Sequence, residues 1–383
     1  MGSKFGFDYF YPQAKHLDYY LGKGLTTIRL PFRWKRLQHE QKAALDPTEL
    51  GRLDAVVKLA GERGMRLILD PHDYASYDGD KVGSPEVPNA AFADFWSKLA
   101  KHYKDNPLIV FGLMNEPSKM KTEQWLGAAN AAIAAIRKAG ATNLILVPGN
   151  GYTGAGTWDN PNAYGSPNSK VMLDVVDPGN NFVFELHTYF DEWSSGTEDT
   201  CKSKTIGSER LKKVTGWLRE HGYRGFLGEF GIPYNETCYA ALDDLLSYID
   251  DNRDVWLGWT YFAGGYAMHG YHYSVEPEKS TGKDRPPMKY LEQHAKLARS
   301  PRAPVRSGRR PRSPRRLRST DRGGPGHGQP GYRLRPRPGW LCRSRARTTD
   351  RPPLLPDRLL LARGDNPLSR STPPRGWVDR KWP

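Results

Sequence analysis

The stretch PLIVFGLMNEP, residues 107–117, decides how the chain is expected to fold. Its first part, PLIVFGLM, residues 107–114, is an uninterrupted apolar run, which is typical of a parallel strand that is covered on both faces. Pro117 has no N–H to donate, so strand pairing should end there. Glu116 therefore lies at the carboxyl end of a strand, where functional residues collect in parallel α/β folds. Taken alone, the stretch also fits an ordinary turn with a solvated acid, so the rest of the chain must decide.

Apolar runs and amphipathic segments alternate through the first 262 residues. The expected strands cover residues 25–32, 65–73, 108–117, 143–150, 182–190, 225–231 and 255–262, and the expected helices cover 11–24, 46–64, 89–106, 123–141, 208–222 and 237–252. Asp46 and Pro47 are suited to the start of one helix, as N-cap and first helical residue. This order predicts an α/β fold, the (β/α)8 barrel, whose first strand is either missing or replaced by KFGFDYF, residues 4–10.

The positive charge of the chain is concentrated at its carboxyl end. The 383 residues have a net charge of +15, but residues 301–383 hold 21 Arg and one Lys against five Asp, so the first 300 residues total −2. This region also holds 15 of the 31 prolines, a composition that predicts disorder. We expect a catalytic domain over residues 1–298 and an Arg/Pro-rich tail over 299–383. The tail is either an out-of-frame translation product or a basic arm for polyanions or membrane surfaces.

Several classes of protein are disfavoured by composition. The chain contains no run of about 18 apolar residues, which a membrane span needs. Its first residues, MGSKFGFDYF, do not form the apolar segment of a signal peptide. Three cysteines are too few for a disulfide scaffold, and their spacing does not fit a zinc site. We therefore expect no metal, no cofactor, no membrane anchor and no required nucleic acid.

Residues capable of chemistry or of stacking on a sugar follow nearly every expected strand. They are Arg29, His72, Tyr74, Asn115, Glu116, His187, Tyr189, Glu229 and Trp259, with Trp158 in the loop after the remaining strand. One such residue is usually structural, but a ring of them at one edge of a barrel predicts a site.

Two of these residues, Glu116 and Glu229, form a pair of carboxylates on separate strands. Glycoside hydrolysis needs such a pair, one protonated to release the leaving alcohol and one ionised to attack or to activate water. A neighbouring arginine favours the ionised form of a carboxylate, and a second carboxylate favours the protonated form of its neighbour. Both groups belong to the protein, so the reaction requires no metal.

Six motifs, taken in their order along the chain, resemble glycoside hydrolase family 5 in its endo-β-1,4-glucanase (cellulase) branch. They are IRLPFRW, LDPHDY, GLMNEP, ELHTYFD, LGEFG and GWTYFAGG. The resemblance covers residues 4–295. It implies a retaining double displacement in cellulose-like β-glucans, with Glu116 as acid/base and Glu229 as nucleophile. It also implies that Arg29 and Tyr189 hold the nucleophile and that Asn115 binds the 2-hydroxyl of the sugar.

The same resemblance implies that His72 and His187 line the subsite at the cleaved bond and that Trp259 forms a stacking floor. Tyr74 and Trp158, from their positions after strands, are expected to support substrate binding. The resemblance further implies a cis peptide bond at Trp259–Thr260 and a disulfide between Cys201 and Cys238. A secreted, monomeric enzyme is expected, although this chain shows no signal peptide. Family members normally open with a Gly-Val-Asn-like strand, and nothing similar precedes Phe5.

Other functions remain open at this point. A β-mannanase or another β-glycanase would share the catalytic set and differ in its subsites. From other classes, the chain could be a carbohydrate-binding barrel without activity or a polyanion-binding protein that acts through its tail. The presence of both Glu116 and Glu229 favours the enzyme.

Overall fold

The computed structural model describes residues 4–161 and 165–299. The predicted tail therefore lies outside the described residues, apart from Arg299. The strands are β1 (Thr27–Phe32), β2 (Arg66–Pro71), β3 (Ser76–Tyr77), β4 (Asp80–Lys81), β5 (Ile109–Gly112), β6 (Ile145–Pro148), β7 (Phe182–His187), β8 (Gly225–Glu229) and β9 (Trp256–Trp259). The α-helices are α1 (Ala14–Gly22), α2 (Trp34–Leu37), α3 (Pro47–Gly61), α4 (Asn89–Tyr103), α5 (Thr122–Lys138), α6 (Asn168–Val171), α7 (Ile206–Glu220), α8 (Glu236–Asp251) and α9 (Pro287–Arg299).

One curled parallel sheet of seven strands organises the fold. Its order, β1-β2-β5-β6-β7-β8-β9, follows the chain, and helices separate the successive strands. This confirms the predicted class, a (β/α)8-type barrel, with each predicted strand overlapping an observed one. The small hairpin of β3 and β4, and helix α9, were not predicted.

Alternation along the strands divides the apolar residues into two layers. In β2, Leu67 and Leu69 pack outward against the helices, whereas Ile68 joins Val110 and Phe226 inside the barrel. Successive side chains of a strand point to opposite faces, so one continuous apolar run serves both layers. The same alternation directs polar side chains near the strand ends into the barrel.

A seam, defined here as the gap between β1 and β9, interrupts the ring. Among the described residues, no strand pairs with the free side of β1 or of β9. Residues 4–9 do not fill the gap, because they form a turn in which the N–H of Phe7 donates to the carbonyl of Lys4 at 3.1 Å. Tyr9 instead binds Glu49 on α3, with 2.6 Å between its hydroxyl and Oε2. Of the two expectations, a missing first strand therefore agrees with the described residues, whereas its replacement by residues 4–10 does not.

A cavity of about 620 Å³ follows the seam. Ile28 of β1, Leu257 of β9 and the interior residues Ile68 and Phe226 line it. Leu257 is 40% exposed, whereas every residue of the central strands β5 and β6 is buried. The strands that border the seam thus expose surface that a neighbouring strand would cover.

Local features agree with the sequence in two further places. The side chain of Asp46 accepts a hydrogen bond from the N–H of Glu49 at 2.7 Å, with Pro47 in the first turn of α3. Cys201 and Cys238 form the expected disulfide, which ties the loop after β7 to α8. Among residues 4–161 and 165–299, no helix has both the length and the apolar character that crossing a membrane requires.

Candidate active site

The carboxyl ends of the parallel strands bring most of the predicted site residues together. Arg29 lies within β1, and Glu116 follows β5. His187 ends β7 and Glu229 ends β8. Their side chains contact one another although up to 200 positions separate them along the chain. The meeting of strand ends at one edge, rather than sequence proximity, creates the cluster.

Glu229 is held by two donors. The hydroxyl of Tyr189 lies 2.7 Å from Oε1, and Nη1 of Arg29 lies 3.2 Å from Oε2. The glutamate is 6% exposed. A β-bulge in the pairing of β7 with β8 places Gly228 as an extra residue before Glu229. Such bulges re-aim side chains beside active sites, and here the carboxylate is directed towards the cluster.

Glu116 stands opposite, in a strained backbone conformation. Its φ of 43° lies in the left-handed region, which costs a non-glycine residue about 1–2 kcal/mol. Oε1 is 2.9 Å from Nδ1 of His187, and the side chain is 14% exposed. One carboxylate oxygen of Glu116 lies within 4.8 Å of one of Glu229. Two carboxylates thus face each other at close range, each with a different set of partners.

Arg29 connects the cluster. Besides Glu229, it contacts Asp70 at 3.1 Å, Glu185 at 2.9 Å and the Oδ1 atom of Asn115 at 2.9 Å. Burial opposes the charge of the guanidinium, but the surrounding carboxylates outweigh it and raise the pKa of Arg29. The arginine is therefore charged at neutral pH.

His187 is the other cation of the site. Burial lowers the affinity of its ring for a proton, but the charge of Glu229 and the hydrogen bonds to Glu116 and Glu185 raise the pKa of His187 to about 9. The ring is thus an imidazolium at neutral pH. Burial, followed by the charge of Glu229, raises the pKa of Tyr189, so its hydroxyl stays a donor.

His72 and Tyr74 lie beside the pair on the β2 side. Nδ1 of His72 is 2.9 Å from Oδ2 of Asp70, and the rings of His72 and Tyr74 meet edge to face at 5.6 Å. Burial, and then the charges of Glu116 and Glu229, raise the pKa of Tyr74. Tyr74 therefore shares the electrostatic environment of the two carboxylates.

Two expectations about tryptophans need correction. Trp158 is not brought into the site, because its indole is 2% exposed and packs against Phe184 and Trp217 in the core. The Trp259–Thr260 bond is trans. The N–H of Thr260 donates to the carbonyl of Leu227 at 2.9 Å and continues the ladder between β8 and β9. The cis bond lies at Phe262–Ala263 instead.

Trp259 itself is placed where a substrate-facing residue should be. It ends β9, is partly exposed, and touches Phe230 edge to face with 5.8 Å between the ring centroids. Its role as a stacking floor rests on this position and stays a prediction.

Sequence reasoning missed three residues of the cluster. Glu185 and Asp70 are buried acids within the apolar strands FVFELH and RLILDP, and that mismatch is a signal that could have revealed them. Tyr271 follows β9 in a loop, and the charge of Glu229 contributes to its raised pKa after burial. No pattern in the sequence identifies a loop tyrosine of this kind.

A cation could be considered for this site, because Glu116, His187 and Glu229 each offer one ligand atom within 4.8 Å of the others. However, Arg29 lies 3.2 Å from Glu229 and would repel a metal ion. The guanidinium and the imidazolium already balance charge that a metal would otherwise neutralise. A paired acid and nucleophile is the chemistry that this arrangement best provides.

Comparison with known proteins identifies the family. Residues 3–265 match the family model "Cellulase (glycosyl hydrolase family 5)". The endo-β-1,4-glucanase B of Aspergillus niger is 36% identical over 277 residues, 72% of this chain and 80% of that protein. A crystal structure of an endo-β-1,4-glucanase from Xanthomonas axonopodis pv. citri, carrying three substitutions, is 45% identical with a TM-score of 0.75, over 76% of this chain and 93% of that one.

XacCel5A in complex with cellopentaose is likewise 45% identical, with a TM-score of 0.74, and the alignment covers 76% of this chain and 93% of that chain. The family model spans more than half of the described barrel and includes both glutamates, Glu116 and Glu229. The chain belongs to glycoside hydrolase family 5, the cellulase family.

Proposed function

We propose that the chain is a retaining endo-β-1,4-glucanase that hydrolyses internal bonds of cellulose-like β-glucans. The observation that carries the proposal is the approach of Glu116 and Glu229 to within 4.8 Å, with distinct partners. Retaining enzymes separate their carboxyl groups by about 5–5.5 Å, whereas inverting enzymes leave room for a water between them. Relatives named endo-β-1,4-glucanase support the choice of glucan.

In the first step, an oxygen of Glu229 attacks the anomeric carbon while the bond to the leaving sugar breaks. Glu116 gives its proton to the glycosidic oxygen, so the leaving group departs as an alcohol and Glu229 becomes a glycosyl ester. Arg29 and Tyr189 orient the attacking carboxylate through their hydrogen bonds and favour its charged form.

In the second step, Glu116 accepts a proton from water, and the resulting hydroxide equivalent attacks the anomeric carbon. The ester bond breaks, Glu229 is released as a carboxylate, and the product keeps the β configuration. Asn115, held by Arg29 at 2.9 Å, is assigned to the 2-hydroxyl of the sugar at the cleaved bond. His72, Tyr74 and Trp259 are assigned to the walls and floor of that subsite.

The proposal extends to the setting of the enzyme. The Cys201–Cys238 disulfide supports a secreted protein, because such bonds persist in oxidising compartments. The substrate is a polysaccharide, and the enzyme is expected to act as a monomer without a cofactor. A β-mannanase differs only in the subsites, so product analysis on carboxymethylcellulose, glucomannan and xyloglucan distinguishes the two.

Azide rescue with 2,4-dinitrophenyl β-cellobioside tests the assigned roles. Glu229→Ala should lose nearly all activity and form the α-glycosyl azide when azide is added, because azide takes the place of the missing nucleophile. Glu116→Ala should instead yield the β-glycosyl azide, formed by attack on the glycosyl ester. The opposite configurations would reverse the roles, and a wild-type product of α configuration would mean inversion.

A further inference from the structure

Glu185 is a buried carboxylate to which the reaction above gives no role. It occupies an interior-facing position of β7, two residues before His187, and is 0% exposed. Its Oε1 is close to two cations, Arg29 and His187, whereas Oε2 is buried without a hydrogen-bond partner among the described residues. A buried charge with an unused oxygen is costly, and such a group calls for an explanation other than stability.

The chain makes room for this side chain at one position. A Cβ atom added to Gly228 of β8 would lie 2.1 Å from Oε1 of Glu185, far inside van der Waals contact. Any larger residue at 228 would therefore displace the carboxylate. The residue that precedes the nucleophile thus accommodates Glu185 from the neighbouring strand.

His187 lies between two carboxylates. Its Nε2 is 3.3 Å from Oε1 of Glu185, and its Nδ1 is 2.9 Å from Oε1 of Glu116. Once Glu116 has lost its proton, a neutral imidazole, which carries one donor, cannot donate to both carboxylates, whereas the imidazolium can. The geometry therefore favours the charged ring when Glu116 is ionised, in agreement with the pKa of about 9 for His187.

We propose that Glu185 is a positioning residue that keeps His187 protonated, so that the imidazolium donates to Glu116 as this acid gives its proton to the glycosidic oxygen. The inference rests on the function proposed above. No proton leaves His187: the Glu116 proton moves to the leaving oxygen, and the negative charge that develops on Glu116 is met by a donor already in place.

Other charged groups around His187 set the limits of this role. Glu229 lies 4.0 Å from Nδ1 and also favours the imidazolium, whereas the charge of Arg29 opposes it. Removing Glu185 should therefore lower the pKa of His187, while Glu116 and Glu229 still favour the charged ring. The competing explanation is that Glu185 only neutralises Arg29, which it contacts at 2.9 Å.

Asp70 offers a matched control. It is equally buried and contacts Arg29 at 3.1 Å, but its histidine partner is His72 rather than His187. Asp70→Asn thus removes one carboxylate from Arg29 and leaves the Glu185–His187–Glu116 contacts intact. If both carboxylates serve only Arg29, the two variants should behave alike.

The first experiment compares two substrates across pH 5–9. Cellotetraose has a sugar leaving group that needs protonation, whereas 2,4-dinitrophenyl β-cellobioside has one that needs almost none. For Glu185→Gln, we expect kcat/KM on cellotetraose to be nearly unchanged at pH 6 and to fall about fivefold near pH 9, where the variant ring is mostly neutral; kcat/KM on the aryl substrate should change little at any pH. Asp70→Asn should reduce kcat/KM by the same factor on both substrates. Equal losses on both substrates for Glu185→Gln, independent of pH, would overturn the inference.

The second experiment does not depend on activity. Nitrogen-15 NMR titration of the histidine side chains should show His187 losing its proton about tenfold more readily in Glu185→Gln than in the wild type. Equal titration curves would refute the role of Glu185. Should the wild type cleave neither substrate, the proposed function fails, and this titration still decides the role of Glu185.

A second variant guards against a folding defect. Glu185→Asp keeps a charge in the region but withdraws it from His187, and circular dichroism establishes that each variant is folded. The titration of His187 should shift in the same direction as in Glu185→Gln. An unshifted titration in a folded Glu185→Asp would count against the proposed contact.

Discussion

A strand added at the seam should stabilise the barrel. The perturbation is an amino-terminal extension that supplies six residues of alternating Val and Ile, joined to Lys4 by a short flexible linker. The unpaired edges of β1 and β9 offer hydrogen bonds on both sides of the gap. The cavity of about 620 Å³ offers space for the side chains. Both features are what a parallel strand requires.

The magnitude follows from the side chains that such a strand would bury. Three aliphatic side chains in the cavity would each contribute about 1.5–3 kcal/mol, or roughly 4–9 kcal/mol together. Ordering the added backbone offsets part of this gain. A net stabilisation of a few kcal/mol should raise the Tm by roughly 5–10 °C. Leu257, now 40% exposed, should become buried.

Differential scanning calorimetry of two extended versions measures the effect. The control carries an extension of equal length made of Gly, Ser and Pro, which cannot complete a strand ladder. Activity on carboxymethylcellulose should rise together with the Tm, because Arg29 and Trp259 lie on the strands that border the seam. Equal Tm values for the two extensions would refute the reasoning, since the seam would then already be closed by other means.

Three further predictions concern charge, covalent linkage and the tail. Because the folded-state pKa of His187 is about 9 against 6.5 when unfolded, its contribution of about 3 kcal/mol is complete below pH 6.5 and is lost as the pH rises through 9. Urea unfolding at pH 6.5 and 9.5 should show this loss in the wild type and not in His187→Gln. Replacing Cys201 and Cys238 with Ala should cost about 4 kcal/mol, given their separation of 37 residues; a denaturation midpoint equal to that of the wild type would contradict this. Truncation after Ser300 should abolish heparin binding and leave glucan cleavage intact; heparin binding that survives truncation would mean that the tail is not the basic site.

The sequence predicts those features that depend on local pattern. Apolar runs located the strands, and the residues that follow them located Glu116 and Glu229. The N-cap at Asp46 was visible because its hydrogen bond spans three residues. By contrast, Trp158 looked like a site residue, because its burial depends on distant partners, Phe184 and Trp217, that no local pattern names.

Buried polar residues mark the boundary of what could be predicted. Glu185 interrupts an apolar strand, which signals that something unusual must compensate its charge, but its partner Arg29 is 156 positions away. The glycine that admits it, Gly228, reads in the sequence only as part of LGEFG. The requirement for a small residue becomes visible only when β7 and β8 lie side by side.

The seam and the site are linked through Arg29. Within the sheet, four strands, β2, β5, β6 and β7, separate β1 from β8. Arg29 connects these distant strands directly, because its guanidinium on β1 binds Glu229 on β8 at 3.2 Å and Glu185 on β7 at 2.9 Å. Ion pairs among buried groups therefore tie the two sides of the open ring together at the catalytic edge.

A second set of contacts joins α1 to the loop that follows β9. The hydroxyl of Tyr20 on α1 donates to Glu276 at 2.6 Å, and Glu276 also accepts from the N–H of Gly265, beyond β9, at 2.8 Å. Tyr19 reaches Asp284 at 2.9 Å from the same helix. These bonds hold α1 against the loop after β9 where no strand intervenes. The seam thus exposes part of the apolar interior of the barrel, while these polar contacts tie α1 to the loop beyond β9.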